Sequence, residues 1–431
     1  MTTHPARAII DLAALRGNVR ALRAAAPDAA LMAVVKADAY GHGMLPCARA
    51  ALQAGATWLG TAQAAEALAL RAAGIGSQQA RILTWLHAPG APFEQLLMAD
   101  IDISVSAIWA LNEVCTAAQA TGLTARIHIK VDTGLGRNGF MPDQLPDLLG
   151  RLCDLSRQGL VEVVGLWTHL AYADEPGHPT IAAQKQLFDA AAAMVDAAGL
   201  GPVIKHVANS AATLTAPDLH YDMVRPGLAL YGLSPVPQDQ PSSALGLTPV
   251  MRLEAQLATV KQVPAGYGVS YGHAYVTPQA TWLGLVPLGY ADGIPRQASG
   301  GSAGVGGPVL VGGPASAVQA RDVATGPQAA VARPDADADA AVVGGPAGTD
   351  TGRTLRIAGR VCMDQFVLDL GPDSTQSAGD TVTLFGASDG LVHGGVLPSA
   401  EDWAQAVGTI SYEIVTRLAA SVPRIYTGVD Q

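Results

Sequence analysis

One lysine lies where an apolar stretch gives way to a polar, glycine-containing turn. The segment reads AVVKADAYGHG over residues 33–43, with Lys36 directly after two valines. An amine at the end of such a strand stands at the rim of a barrel or sheet, where loss of solvent makes it nucleophilic. Schiff-base chemistry on a carbonyl, or on pyridoxal phosphate, requires an amine of this kind. The segment therefore predicts a reactive Lys36.

Polar side chains also end four other apolar stretches of the first half. Alone, a lysine or arginine at a strand end is usually a solvated charge, and a histidine there is usually a hydrogen-bonded structural residue. Because parallel barrel strands end at one face, however, these groups are expected to converge with Lys36 on one mouth. The residues concerned are Lys130 with Asp132, His169, Asn209 with Ser210, and Arg225.

The last two of these strand ends indicate a phosphate site. Asn209 and Ser210 follow the seventh predicted strand, and Arg225, Pro226 and Gly227 follow the eighth. Barrels often bind phosphate with the loops after these two strands, through backbone amides near a helix start. Ser210 adds a hydroxyl, and Gly227 allows close approach of the backbone. An amine and a phosphate site together predict a phosphorylated aldehyde as ligand, for which pyridoxal 5'-phosphate is the obvious candidate.

Alternation of short apolar runs with helical segments predicts the elements that position these groups. Eight runs rich in Val, Ile and Leu are separated by stretches with room for one helix each, such as 45–55, 62–73 and 182–198. Eight such units over about 240 residues are typical of a (β/α)8 barrel, the TIM barrel. The predicted strands are residues 31–35, 57–61, 81–85, 101–105, 126–132, 162–168, 203–208 and 222–225.

The second half of the chain has a different pattern, which predicts a mostly-β domain with a terminal helical piece. We place the boundary near residue 240, within the Pro/Ser/Gln-rich segment 234–243. This gives an α/β barrel domain at 1–240, expected to bind pyridoxal phosphate, and a C-terminal β-domain at 241–431. The strand-like runs are 252–263, 281–287, 354–370 and 380–385, and helical character returns at 400–407 and 410–420.

One segment of the second half has low complexity. Gly, Ala, Pro, Asp and Val dominate residues 300–352, apart from a short apolar tract at 309–312. A segment of this composition buries too little apolar surface to order itself, so 313–352 is predicted to be an inserted flexible loop. An ordered extra hairpin is the alternative.

Composition and charge limit the classes of function that this chain can have. The chain has 431 residues, and 26 Lys+Arg against 36 Asp+Glu give a formal net charge of -10, which argues against a nucleic-acid partner. No apolar stretch is long enough to span a membrane, and no signal segment starts the chain, so no membrane partner is expected. The cysteines at 47, 115, 153 and 362 show no paired spacing. This predicts neither a metal site nor a disulfide framework and suits a reducing cytoplasm.

Short motifs run along both halves in a fixed order. The first half carries KADAYGHG at 36–43, KVDTGLGR at 130–137, THLA at 168–171, ANS at 208–210 and VRPG at 224–227. The second half carries VSYG at 269–272, GYADG at 289–293, GRVCMDQ at 359–365 and SYE at 411–413. With these motifs the chain resembles the alanine racemase family of fold-type III pyridoxal-phosphate enzymes, over nearly its whole length apart from the insertion.

The resemblance implies interconversion of L-alanine and D-alanine by two bases, with pyridoxal 5'-phosphate as cofactor. Lys36 matches the residue that carries the cofactor and serves as the base for the D-enantiomer. Tyr271 matches the second base, on the opposite face of the cofactor ring, and His169 matches the histidine to which that tyrosine hydrogen-bonds. D-Alanine formed in this way is a precursor of bacterial peptidoglycan.

Other residues match binding positions of the family. Arg225 matches the residue that faces the pyridine nitrogen, where a guanidinium donates a hydrogen bond but does not readily protonate the ring. Arg137 matches a contact to the phenolic oxygen of the cofactor and to the substrate carboxylate, and Lys130 matches a supporting lysine, carbamylated in some members, that orients this arginine. Met363 matches a backbone contact to the substrate carboxylate. The implied cofactor-binding residues are Lys36, Tyr40, Arg137, His169, Asn209, Ser210, Arg225, Gly227, Leu228 and Tyr412.

In the family the β-domain of one subunit caps the barrel of the other. The resemblance therefore implies a homodimer in which Tyr271, Met363 and the adjacent supporting residue Asp364 act in trans. Tyr412 and Tyr271 together would narrow the entrance, which excludes side chains much larger than a methyl group.

Three alternatives stay open. Pyridoxal-dependent amino-acid decarboxylases share a barrel and a β-domain, but they would show an acidic partner for the pyridine nitrogen and a catalytic cysteine. A non-catalytic pyridoxal-phosphate carrier would resemble the barrel alone. A racemase of another small amino acid, such as serine, would use the same site.

Overall fold

The computed structural model describes residues 4–312, 352–387 and 397–429, which form two compact units. The predicted insertion at 313–352 lies outside the described residues, except for Gly352. The units divide between Met251 and Arg252, later than the boundary predicted near residue 240. The barrel unit comprises Ile10–Met251, Ile410–Leu418 and Thr427–Gln431, and the β unit comprises Met1–Ile9, Arg252–Thr409 and Ala419–Tyr426.

Strands and helices alternate in the first half, and strands dominate the second. The strands are β1 (Ala6–Asp11), β2 (Ala30–Val34), β3 (Trp58–Thr61), β4 (Arg81–Thr84), β5 (Asp102–Val105), β6 (Ala125–Lys130), β7 (Val161–Trp167), β8 (Ile204–His206), β9 (Met223–Val224), β10 (Met251–Gln256), β11 (Thr259–Val263), β12 (Gly268–Val269), β13 (Tyr275–Val276), β14 (Thr281–Val286), β15 (Pro308–Val311), β16 (Arg353–Arg356), β17 (Phe366–Gly371), β18 (Thr381–Phe385) and β19 (Arg424–Thr427). The α-helices are α1 (Leu12–Ala25), α2 (Lys36–Gly41), α3 (Met44–Gln53), α4 (Ala64–Ala72), α5 (Phe93–Met98), α6 (Ile108–Thr121), α7 (Leu145–Arg157), α8 (Pro179–Ala197), α9 (Ser210–Thr215), α10 (Ala400–Val407) and α11 (Ser411–Thr416).

The barrel unit is built around a parallel sheet, which in the described chain has eight strands in the order β8-β7-β6-β5-β4-β3-β2-β9. Beside β8, the backbone amides of Asp222 and Arg225 donate to the carbonyls of Lys205 and Ala208, which nearly closes the ring of strands. The predicted (β/α)8 barrel is confirmed, and each predicted strand agrees with an observed one to within two residues at either end.

The strands of this sheet are largely buried on both faces because the barrel interior and the surrounding helices both cover them. Met32, Trp58, Leu83 and Met223 pack together in the interior. Helices begin where side chains satisfy their free amides. Asp11 accepts from the amides at positions 13 and 14 at the start of α1.

The β unit contains three sheets in the described residues. Their strand orders are β16-β15-β18-β10-β1-β19, β11-β14-β17 and β12-β13. The strand-rich C-terminal region predicted from the sequence is therefore confirmed. The apolar tract at 309–312 contributes β15, which pairs antiparallel with β16.

Two long strands predicted here are wrong in extent. The run 252–263 breaks into β10 and β11, because the amide of Leu257 donates to Asp380 in one sheet and that of Ala258 donates to Leu285 in the other. The run 354–370 likewise breaks into β16 and β17, since the chain leaves the strand conformation at Gly359, whose φ is +79°. Strand β1 was not predicted, because its partners β10 and β19 are remote in sequence.

Among the described residues, no helix combines the length and the apolar character that crossing a membrane requires.

Candidate active site

A cavity of about 140 Å³ opens at the carboxyl ends of the barrel strands. All of the residues predicted to bind a cofactor line it, and no carboxylate is among the described residues of its wall. A larger cavity of about 480 Å³ lies beside α8 and contains none of the predicted residues. Converging polar groups identify the smaller cavity as the candidate site. Its lining residues are Lys36, Tyr40, Arg137, His169, Asn209, Ser210, Arg225, Gly227, Leu228 and Tyr412, with Val34, Trp85 and Trp167.

Lys36 begins a turn with unusual backbone geometry. Residues 37–40 have φ angles between 51° and 54°, so α2 contains a left-handed turn of non-glycine residues. That conformation costs roughly 1–2 kcal/mol per residue and persists only where surrounding contacts enforce it. Here Glu66 Oε1 accepts from the Ala37 amide at 2.6 Å, and Asp38 Oδ1 accepts from the Met44 amide at 2.7 Å. The contacts fix the backbone that carries the reactive amine.

The surroundings of Lys36 favour the neutral amine. Burial lowers the pKa of Lys36, the positive charge of Arg137 lowers it further, and the carboxylate of Glu66 opposes these effects. A neutral amine is the form that attacks a carbonyl or accepts a proton.

Hydroxyl groups gather on the side of the cavity formed by the loops after β8 and β9. Ser210 Oγ accepts from the amides of Gly227 at 2.9 Å and Ala229 at 3.2 Å. Burial raises the pKa of Tyr40, and it raises that of Tyr412 to about 12, so both phenols keep their protons and act as donors at neutral pH. A Cβ at Gly227 would lie 2.2 Å from the Tyr40 oxygen, so only glycine allows the Tyr40 hydroxyl to approach the backbone here.

The loop after β6 carries Arg137 to the cavity. Asp132 Oδ1 accepts from the backbone amides at positions 134, 135 and 136, at 2.9, 3.0 and 3.2 Å. The amide of Phe140 donates to the carbonyl of Lys130 and closes the loop at its base. Gly139 is required there, because its Cβ would lie 2.7 Å from the Asp132 nitrogen. The loop thus holds Arg137 in a defined place although its side chain is exposed.

Lys130 is buried at the base of this loop. Its ammonium donates to Asn138 and lies 4.5 Å from the centroid of the Trp167 ring. Burial together with the charges of Arg137 and Arg225 lowers the pKa of Lys130 to about 8. The amine therefore has a substantial neutral fraction at physiological pH.

Arg225 is buried and fixed by several hydrogen bonds. Its Nη2 donates to the carbonyls of Thr168 and Val207 at 2.8 and 3.1 Å, and its Nη1 donates to Nδ1 of His206 at 3.2 Å. Burial lowers its pKa to about 9, which still leaves the guanidinium charged at neutral pH. The cavity therefore has a fixed cation in its wall.

His169 lies among these cations. Burial and the neighbouring charges, led by Arg225 and then Arg137, hold the pKa of His169 well below its usual value. The imidazole is therefore neutral at physiological pH and offers one donor and one acceptor nitrogen.

The remaining predicted residues lie in the β unit. Tyr271 begins a 3-10 helix and is 69% exposed, Met363 is 54% exposed, and Asp364 is exposed as well. Ser270 Oγ donates to the carbonyl of Arg360 at 2.7 Å, which ties the tyrosine segment to the segment that carries Met363. These predicted residues thus stand on connected, solvent-facing loops of their unit.

Two family models match the chain, one in each half. The model described as alanine racemase, N-terminal domain, matches residues 10–235, and the model described as alanine racemase, C-terminal domain, matches residues 250–321 and 341–426. The alanine racemase of Streptomyces coelicolor is 53% identical over 423 residues, which cover 98% of this chain and 95% of that protein. The chain belongs to the alanine racemase family.

Solved structures of alanine racemases extend the similarity from sequence to fold. Alanine racemase from D-cycloserine-producing Streptomyces lavendulae aligns with a TM-score of 0.85 at 50% identity, covering 100% of this chain and 98% of that one. The biosynthetic alanine racemase of Pseudomonas aeruginosa aligns with a TM-score of 0.76 at 31% identity, covering 99% and 100%. The match of alanine racemase models to both halves argues against the alternative of a barrel-only carrier.

Sequence reasoning missed two aromatic residues of the alanine racemase pocket. Trp85 directly follows β4 and Trp167 ends β7, and both line the cavity. Large aromatic residues in apolar runs are usually core, and this explains why they were passed over. Their position at the carboxyl ends of barrel strands was the signal that marks pocket residues.

Proposed function

We propose that this chain catalyses the interconversion of L-alanine and D-alanine with pyridoxal 5'-phosphate as cofactor. The observation that carries the proposal is the convergence of the ten predicted cofactor-binding residues on one cavity at the barrel mouth. We assign alanine as the substrate because the chain belongs to the alanine racemase family. D-Alanine would serve peptidoglycan synthesis.

The donor groups of the cavity fit this cofactor. A phosphate needs hydrogen-bond donors and positive charge, which the hydroxyls around Ser210 and the phenols of Tyr40 and Tyr412 provide in part. Gly227 lets the Tyr40 hydroxyl lie directly against the backbone on this side of the cavity, where any Cβ would collide with it. Asn209 and Leu228 lie in the same two loops and complete the phosphate side.

Bound pyridoxal phosphate supplies an electron-withdrawing ring that acidifies the α-hydrogen of an amino acid joined to it. Lys36 would hold the cofactor through its amine and, once released, act as the base on one face. Arg225 would donate to the pyridine nitrogen without giving up its proton. Arg137 would bind the phenolic oxygen of the cofactor and the carboxylate of the substrate, with Lys130 as its support.

Racemisation needs a second base on the opposite face, and we assign Tyr271 to that role. An amino acid fixed between two bases loses its α-proton to one and regains a proton from the other, which inverts the configuration. Neutral His169 is suited to hydrogen-bond the phenol. The backbone of Met363 would contact the substrate carboxylate, and Asp364 would support the mouth.

We further propose a homodimer in which Tyr271, Met363 and Asp364 complete the site of the partner subunit. These groups are exposed in the single chain, as groups that bind a partner or a substrate must be. Tyr271 and Tyr412 would then limit the substrate side chain to about the size of a methyl group. We place the enzyme in the cytoplasm, where its four free thiols would stay reduced.

The test is an exchange experiment. Purified protein loaded with pyridoxal phosphate is given L-alanine in heavy water, and circular dichroism and α-proton NMR are followed together. We expect decay of optical activity together with deuteration at the α-carbon, and loss of both in Lys36→Ala. Deuteration without decay, or a bound cofactor that supports neither, would refute a racemase. A serine substrate run in parallel measures the substrate range.

A further inference from the structure

A line of buried polar side chains runs from Arg225 down through the barrel core. Nη1 of Arg225 lies 3.2 Å from Nδ1 of His206, and Nε2 of His206 lies 2.9 Å from Nδ1 of His128. Nε2 of His128 in turn lies 3.3 Å from Oδ2 of Asp102. His206, His128 and Asp102, which we name the His–His–Asp chain, are each 0% exposed.

The direction of every hydrogen bond in this chain follows from the arginine. A guanidinium only donates, so Nδ1 of His206 must accept. Burial, with the charge of Arg225, holds the pKa of His206 well below its usual value, so this neutral ring carries its proton on Nε2 and donates to His128. Nδ1 of His128 therefore accepts, and its Nε2 donates to the carboxylate of Asp102. In all three hydrogen bonds the donor is therefore the residue nearer the barrel mouth and the acceptor is the residue deeper in the barrel.

The carboxylate at the inner end is held as an anion. Burial alone would raise the pKa of Asp102, but the hydrogen bond from His128 and the charges of Arg81 and Arg126 outweigh it and lower the pKa. Nε of Arg126 donates to Oδ1 of Asp102 at 3.1 Å, and Arg81 contacts the same oxygen. The other side of Arg126 pairs with Glu162 at 3.0 Å.

The backbone is shaped to admit His128. Gly165 of β7 lies beside it, and a Cβ there would stand 1.9 Å from Nδ1 of His128. The pairing of β6 with β7 also shifts register between Ile127 and His128. A glycine inside a strand and a bulge both re-aim neighbouring side chains. The glycine and the register shift both lie at His128, which is the residue that connects His206 to Asp102.

We propose that the His–His–Asp chain positions Arg225, holding one N–H of its guanidinium towards the barrel core and so fixing the face that it turns to the cavity. Each bond strengthens the next, because the negative end draws every proton of the line inwards. These are positioning residues, since each acts through Arg225. Their part in the reaction rests on the proposed function, whereas the order of their protons does not.

The proton order is tested in cofactor-free protein with 15N-labelled histidine. From the hydrogen-bond geometry we expect Nε2 to carry the proton in both His128 and His206, and Nδ1 of both rings to be an unprotonated acceptor. In Asp102→Asn, which keeps the shape and removes the charge, the resonances of both rings should move. Glu162→Gln is the matched control, because it removes a partner of Arg126 without touching the chain, and should leave His206 unmoved. Protonation on Nδ1 of either ring, or a His206 signal indifferent to Asp102→Asn, would overturn the proposal.

The coupling to Arg225 is tested in the loaded enzyme. His128→Leu breaks the chain, whereas His128→Gln offers an acceptor and a donor in similar places. We expect His128→Leu to lower kcat by about ten-fold while KM for alanine stays nearly unchanged. A loss of this size is typical when the hydrogen-bond partner of a directly binding residue is removed. His128→Gln should recover most of the lost kcat. Equal kcat in folded His128→Leu and wild type would contradict the proposal. Wild type without racemisation would instead refute the proposed function and leave the NMR result standing.

Discussion

At the scale of single residues, some side chains of the site can be predicted from sequence patterns and others cannot. Lys36, Arg225 and their neighbours stand at strand ends, where polar residues interrupt apolar runs. His128 lies inside a strand, where a polar residue among apolar ones normally faces solvent. Its burial depends on Gly165 and on a bulge, and neither shows in a local pattern. The polar residues of the pocket were therefore predictable from the sequence, whereas the His–His–Asp chain behind them was not.

The two-base assignment gives a directional prediction for Tyr271→Phe. We expect the variant to keep its cofactor and lose racemisation by roughly 10²–10⁴-fold, because the phenol hydroxyl supplies one of the two proton transfers. Lys36 remains, so D-alanine in heavy water should still exchange its α-proton with retention while L-alanine does not. NMR of the two enantiomers measures this. Equal exchange of both would remove Tyr271 from the role of base.

The buried ammonium of Lys130 gives a prediction about pH. Its pKa of about 8 is below the ordinary 10.5, so the folded protein releases this proton before the unfolded chain does. Its contribution to stability therefore rises between about pH 8 and 10.5, and below pH 8 the buried charge is a constant cost. A 13C-lysine NMR titration of cofactor-free protein should show one resonance with a midpoint near pH 8 that is absent in Lys130→Met. A midpoint above 10 would contradict the burial argument.

At the scale of elements, the left-handed turn of α2 is held by close contacts that glycine alone permits. Gly41 has a φ of +80°, and a Cβ there would lie 2.4 Å from the carbonyl oxygen of Val415, which belongs to α11, the helix that also carries Tyr412. Gly41→Ala should therefore lower the free energy of unfolding by roughly 3 kcal/mol and weaken cofactor binding.

Gly74→Ala is the matched control for this turn. Its φ of +89° is similar, but no atom lies within 4 Å of the added Cβ. It should cost only about 1 kcal/mol of unfolding free energy and leave cofactor affinity unchanged. Urea unfolding and cofactor titration measure both quantities. Equal losses in the two variants would mean that the contact with Val415 does not matter.

The pairing of the two strands that flank the insertion indicates that the protein can fold and act without it. Val311 pairs with Arg353 across β15 and β16, and Gly312 has a φ of +77°. Removing residues 313–351 joins Gly312 to Gly352, which leaves a two-residue Gly-Gly hairpin turn of a favoured type. We expect the shortened protein to retain the unfolding free energy and racemisation of the full chain. Loss of activity in a folded variant would assign the segment a role at the site.

At the scale of the whole molecule, the sequence predicted the barrel better than the β unit for a physical reason. Barrel strands pair with their sequence neighbours, so local alternation of strand and helix reports the topology. In the β unit, β1 pairs with β10 and β19, and the run 252–263 passes from one sheet to another. Apolar patterns locate a strand but not its partner, and partners remote in sequence leave no local signal.

The central claim is that two bases from different subunits, Lys36 and Tyr271, form one site. The most direct measurement mixes Lys36→Ala and Tyr271→Phe chains, each with its own affinity tag, by co-expression. Each variant alone should be inactive, but a mixed dimer contains one site with both bases, so a random mixture should recover about one quarter of wild-type racemisation. Doubly tagged dimers that stay inactive would contradict the claim.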